Sequence, residues 1–223
     1  MTTFPGSPRL TKGSLVSMHP TTGVVQTVIA FQYNPETLSR SFTLSQGVEE
    51  SSGDRPKSIT RRARNAPQET ISLEIILDAI DRLEKADPTT VKLGIHPQLA
   101  ALEMLVYPDS KKVSANMRKA DAGVLEVEPI AGPLIVLAWG VKRVVPVVLN
   151  SMSITEEAYD VVLNPIQAKI SLGLRILNYE DFPWTSLGGK LFFSHHTEKE
   201  SLSREKSATT GRTTIVNIPA AFG

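Results

Sequence analysis

The stretch PLIVLAWGVKRVVPVVLNSMSITEEAYDVVLNPIQAKISLGLRILNYED, residues Pro133 to Asp181, decides the fold. Within it Ala168, Ile170, Leu172, Leu174 and Ile176 alternate with Gln167, Lys169, Ser171, Gly173 and Arg175. A period of two puts the first set on a dry face of a strand and the second on a wet one. Upstream, Met152 and Ile154 alternate with Ser151, Ser153 and Thr155, and Leu134 to Trp139 is an apolar run behind the breakers Gly132-Pro133. Both read as strands. Lys142 to Leu149 is rich in valine, and its Pro146, lacking an amide proton, predicts an edge or a bulge. Asn164-Pro165 predicts a turn, because the residue before proline avoids the helical region and asparagine bonds its own backbone. The expectation is a meander of about four antiparallel strands.

Outward from this segment the pattern stays mainly β. Leu15-Val16 and Val24 to Ala30 predict a hairpin around the turn-rich HPTTG, His19 to Gly23. The corner FQYNPETL, Phe31 to Leu38, leads into the mixed series Ser39 to Leu44, and Ile71, Leu73, Ile75 and Leu77 alternate with Ser72, Glu74 and Ile76. One helix is expected near 97–107, where Pro97 suits a first turn, Leu99, Leu102 and Val106 share a face, and Pro108 ends the run. Asp109 to Gly132, with Lys111, Lys112, Arg118 and Lys119, reads as a second solvated basic segment. The implied division is a flexible N-terminal arm at 1–14, a β domain at 15–185 with that flanking helix, and an extended polar C-terminal arm at 186–223. In that arm, Thr214 to Ile218 is apolar enough to add a strand to another chain's edge.

With 223 residues the chain can bury a proper core. The 24 basic and 23 acidic residues give a formal charge of +1, too even to draw the whole molecule to nucleic acid or anionic lipid. The absence of cysteine excludes disulfides, thiolate metal sites and a cysteine nucleophile. No apolar run reaches the roughly 18 residues of a membrane span, and the N-terminus does not read as a secretion signal.

Catalytic signatures are not found. There is no GxxxxGK[ST], GxGxxG or GxSxG string. The His195-His196 pair could hold a metal weakly, but no carboxylate stands at a set spacing to complete the site, so an exposed tail pair is the plainer reading. Glu49-Glu50 and Glu156-Glu157 could serve as general acids, although adjacent acids beside loops are usually solvated. No cofactor or metal is expected. From Ser45 to Pro67 the chain lacks apolar periodicity and carries Arg55, Lys57, Arg61, Arg62 and Arg64, which are candidate partner contacts. Aromatic residues to stack bases are missing there, so carboxylates of a protein partner suit these cations better than nucleic acid. A solvated loop is the alternative. Trp139 is expected to pack at a strand end.

Taken in order, FQYNPETLSRSF, ISLEIILDAID and the Pro133 segment resemble the tube-type proteins of contractile injection systems, the phage-tail-like devices. The matching positions are Phe31, Tyr33, Asn34 and Pro35; Leu77-Asp78; Trp139-Gly140; and Pro165 with Ala168, over about residues 15 to 180. The resemblance implies a tail-tube-like antiparallel β-sandwich or barrel, arranged as a hexameric ring. It implies a non-enzymatic baseplate adaptor or inner-tube initiator that joins the spike or hub to the inner tube and contacts other baseplate or sheath subunits. Assembly would take place in the cytoplasm, with release as part of the particle, and without membrane insertion. Relatives in this family often carry a cell-wall-binding LysM module, and no α/β pattern of that kind follows Asp181. A cell-wall-binding or cargo-carrying module is the alternative from a different class, and a hydrolase on a β scaffold is a third.

Overall fold

The computed structural model describes residues 11–44, 66–123 and 132–210. Seven strands form one antiparallel sheet: β1 (Ser14–Met18), β2 (Val25–Ala30), β3 (Leu38–Thr43), β4 (Gln68–Asp78), β5 (Leu134–Ala138), β6 (Val144–Tyr159) and β7 (Pro165–Ile176). Their spatial order is β2-β1-β5-β6-β7-β4-β3, so β2 and β3 are the edges. The mainly β, antiparallel expectation therefore holds.

The alternation in β7 does what its period implies. Ala168, Ile170, Leu172, Leu174 and Ile176 are buried, and they stand opposite Leu77, Ile75, Leu73 and Ile71 of β4 and Leu149, Met152 and Ile154 of β6. Together with Leu15, Phe31, Leu137, Val145 and Val147 these side chains form one core on one face of the sheet. On the opposite face of β7, Lys169, Ser171, Gly173 and Arg175 are only half-buried or exposed. β5 is buried on both faces, as its unbroken apolar run implies.

The expected four-strand meander is three strands. Lys142 to Leu149 and Ser151 to Thr155 belong to the single 16-residue β6, in which Asn150 is an extra residue between the pairs Leu149↔Leu174 and Ser151↔Gly173. A β-bulge of this kind breaks the alternation without ending the strand. Nor does Pro146 mark an edge, since β6 is the central strand. Its carbonyl accepts from Leu177 N at 3.0 Å, just past the last β6–β7 pair, Val147↔Ile176. Pro146 still pairs with Val136 in the β5–β6 ladder, and because the N and C=O of a strand residue point to one side, its missing donor falls on the β7 side, at the end of that pairing.

There are five helices among the described residues, against one expected: α1 (Ile80–Glu84), α2 (Pro88–Leu93), α3 (His96–Glu103), α4 (Ser110–Asp121) and α5 (Leu187–Thr210). α3 is the expected helix, shortened at its C-terminal end, and it buries Leu99 and Leu102. α4 lies in the expected solvated basic segment, which is solvated as expected but helical. It buries no side chain, and Asp109 caps it by accepting from Lys111 N at 2.8 Å.

α5 is the larger correction. Residues 187–210 are helical rather than an extended arm. Ser186 caps the start, its Oγ accepting from Gly189 N at 3.1 Å. The glycine pair that reads as a loop is there for closeness, because a Cβ at Gly188 would lie 2.5 Å from the Phe182 ring.

The α2–α3 junction is pressed against the first residue of β7. Ile95 N donates to Pro165 O at 2.8 Å, and Gly94 sits at φ +56 with room for no side chain, a Cβ there falling 2.2 Å from that same oxygen. Gly94→Ala is expected to cost about 2 kcal/mol through backbone strain alone, read as a lower urea midpoint with an unchanged m-value.

Candidate functional site

The residues of the early corner bind main-chain groups at the end of β4 and just before β1. Gln32 Nε2 donates to Asp78 O at 2.8 Å and Gln32 Oε1 accepts from Asp78 N at 3.1 Å, so one side-chain amide satisfies both main-chain groups at the end of β4. Asn34 does the same two residues on. Its Oδ1 accepts from Gly13 N and its Nδ2 donates to Thr11 O, both at 2.9 Å. Asp78, held in this way, starts α1 by accepting from Ile80 N at 2.7 Å.

Phe31 is buried, with its ring centroid 6.3 Å from that of the half-buried Trp139. Trp139 N donates to Arg143 O across the β5–β6 turn, where Gly140 has φ +69. Tyr33 is exposed and Pro35 half-buried. Pro165 and Ala168 are buried at the start of β7. Phe31, Trp139, Pro165 and Ala168 thus pack at or near strand ends while Tyr33 faces water, and Gln32, which its sequence pattern does not single out, ties the end of β2 to that of β4. Gln32→Ala should cost about 2 kcal/mol by leaving the Asp78 amide and carbonyl unpaired, measured as a drop in thermal unfolding midpoint.

The basic candidates Arg55, Lys57, Arg61, Arg62 and Arg64 lie outside the described residues. A different charged group organises the other end of the sheet. Glu69, at the start of β4, is 4% exposed and accepts from Arg40 Nε of β3 and, at 2.8 Å, from Lys199 Nζ of α5. Burial pushes the Glu69 carboxyl up, but the two hydrogen bonds and the charges behind them outweigh it, leaving it below the usual range. Arg40 and Lys199 also lie over the Phe42 ring, 5.0 and 5.7 Å from its centroid. Half-buried Arg143 is pushed down by burial and then by Arg40.

His195 of α5 packs into this group 7% exposed, with neither ring nitrogen hydrogen-bonded among the described residues. Its pKa falls to about 4, through burial first and then Lys199, with Arg40 and Arg143 adding to the fall and Glu69 opposing it. The expected exposed tail pair is thus half right, since His195 is buried and His196 exposed. His196 Nδ1 lies 2.7 Å from Tyr179 Oη, and no group of three or more metal-ligating side chains occurs among the described residues. The Glu156-Glu157 pair is also engaged, Glu157 with Lys169 at 2.8 Å and Glu156 with the Tyr159 hydroxyl.

The apolar surface of the described residues includes three features that bear on contacts. β2 is an edge whose Val25 and Val28 face water. The β6–β7 turn exposes Val161, Val162 and Leu163. Beside α5, Trp184 and Phe193, 4.8 Å apart edge to face, flank a hollow of about 270 Å³. No helix among the described residues is long and apolar enough to cross a membrane. Compared with models of known protein families and with curated protein sequences, the chain matches none.

Proposed function

We propose that this chain is a structural, non-enzymatic component of a contractile injection system, placed at the baseplate end of the inner tube as an adaptor or tube initiator. The observation that carries the reading is the open sheet. Among the described residues β2 and β3 are edges with no further strand beside them, and β2 is exposed along nearly its whole length, with valines on it. An edge of this kind invites pairing with another chain. Copies joined edge to edge in a ring, six by the resemblance, would satisfy those amides and close the tail-tube-like barrel that one chain leaves open. The positions that carry the resemblance support it, since Phe31, Asn34, Asp78, Trp139, Pro165 and Ala168 fall at or near strand ends and junctions.

The mechanism is geometric: one ring surface matches spike or hub, the other matches tube protein, and baseplate or sheath subunits pack outside. No nucleic acid or membrane insertion enters, and the particle is assembled in the cytoplasm before release. Co-expression with tube and spike proteins, followed by electron microscopy, tests this. Rings capping a tube are expected, and a chain that stays monomeric and apart from both partners overturns it.

A further inference from the structure

The β6–β7 hairpin has unlike ends. At its turn, Val161, Val162 and Leu163 are 101%, 71% and 77% exposed. The backbone beneath them is pinned: Asp160 Oδ1 accepts from Val162 N and Asn164 N, Asn164 Nδ2 donates to Asp160 Oδ2, each at 2.8 Å, and the same amide reaches Lys92 O at 3.1 Å. Three adjacent apolar side chains in water on a turn fixed in this way make a pre-formed anchor, which loses little freedom on docking. The approach to the tip carries Glu156, Glu157 and Asp160, and with Glu157 paired to Lys169 across the hairpin at 2.8 Å, Glu156 and Asp160 make its acidic shoulder.

The opposite end holds the hollow that Trp184 and Phe193 line together with Gly189 and Lys190. It is lined mainly by apolar surface, and Lys190 is its charged residue. The 12 residues of β7 separate the two ends by about 40 Å. One chain therefore cannot fill its own hollow.

We propose that the Val161–Leu163 tip of one copy seats in the Trp184–Phe193 hollow of a second copy, head to tail, with Lys190 meeting the acidic shoulder of the tip. Apolar tip matches apolar hollow, and the charges beside them are opposite. Because the two surfaces differ, the contact is heterologous and propagates into a ring or a row. Three side chains bury far less than the roughly 1,200 Å² of a stable pair, so the contact sets register within a larger assembly. It does not rest on the injection-machine reading and stands or falls by itself.

The lack of native cysteine makes cross-linking a direct test. Full-length Leu163→Cys is mixed at high concentration with full-length Ser194→Cys and a short bismaleimide. The mixed dimer should exceed by about tenfold the products of either variant alone, or of Leu163→Cys with Ser114→Cys on α4, because docking raises the local concentration. A chain carrying both Leu163→Cys and Ser194→Cys should give a ladder. Adding Val162→Asp should abolish the mixed product while circular dichroism stays unchanged, since Val162 is 71% exposed. Equal yields for all pairs, Leu163→Cys joined chiefly to itself, or no product would each overturn the proposal.

Discussion

Replacing Glu69 with alanine is expected to cost about 3–5 kcal/mol of folding stability, the range for removing one partner of a buried ion pair while the others stay behind. Glu69 is the carboxylate that Arg40 and Lys199 share, and Arg143 and His195 stand beside it. Without it, three cations from β3, the β5–β6 turn and α5 are left close together without the carboxylate that Arg40 and Lys199 share. Because Lys199 belongs to α5, the loss should appear first as release of that helix. Urea unfolding followed by tryptophan fluorescence reads the effect, with Trp184 close to the start of α5. Lys199→Met should cost less, since Lys199 is 39% exposed and Arg40 still pairs the carboxylate. A loss below about 1 kcal/mol for Glu69→Ala would mean that the freed cations reach water, and that Glu69 does not seat the helix.

Acid should loosen the same junction. The His195 pKa is lowered from 6.5 to about 4 in the folded chain, so above pH 6.5 the ring is neutral in both states and its packing contributes fully. As pH falls from 6.5 toward 4 the unfolded chain takes up a proton that the folded chain refuses, and about 3 kcal/mol is lost progressively. Glu69, whose pKa is lowered, acts in the same direction: its contribution is present above its ordinary 4.5 and disappears as pH drops through the folded value. Charged neighbours reach His195 from each element packed on it, Lys199 from α5, Glu69 from β4, Arg40 from β3 and Arg143 from the β5–β6 turn. His195→Leu should flatten the stability profile between pH 6.5 and 4, and an unchanged slope in urea titrations across that window would refute the assignment.

The strands were legible because a half-buried sheet writes its two faces into adjacent residues. Ile71 to Leu77 and Ala168 to Ile176 alternate, and they pair in register as Leu73↔Leu172 and Ile75↔Ile170. What failed was local. Asn150 looks like a gap between strands and is a bulge within one. α4 has no buried face to give it a periodic apolar signal. α5 seats Gly188, Gly189, Phe192 and His195, a face with two glycines and a histidine that hydrophobicity does not mark. The junction at Glu69 was illegible for a different reason: its partners are 29 and 130 residues away, and no spacing rule links them. The clasp by Gln32 has the same character, reaching 46 residues to Asp78. The corner around Asn34-Pro35 was recognisable as a turn, but what its amides hold becomes visible only when the strands meet.

α5 leaves its support partway along. Its buried face ends at His195, with Glu198 and Lys199 half-buried, and from Glu200 to Glu205 every residue is exposed. A helix of 24 residues is about 36 Å long, and an isolated piece the length of its outer turns would barely hold together in water. Those turns are templated by the anchored ones, so amide deuteration should proceed as a gradient, fast past Glu200 and slow around Phe192. Mild acid, by unseating His195, would collapse that gradient along the whole rod at once.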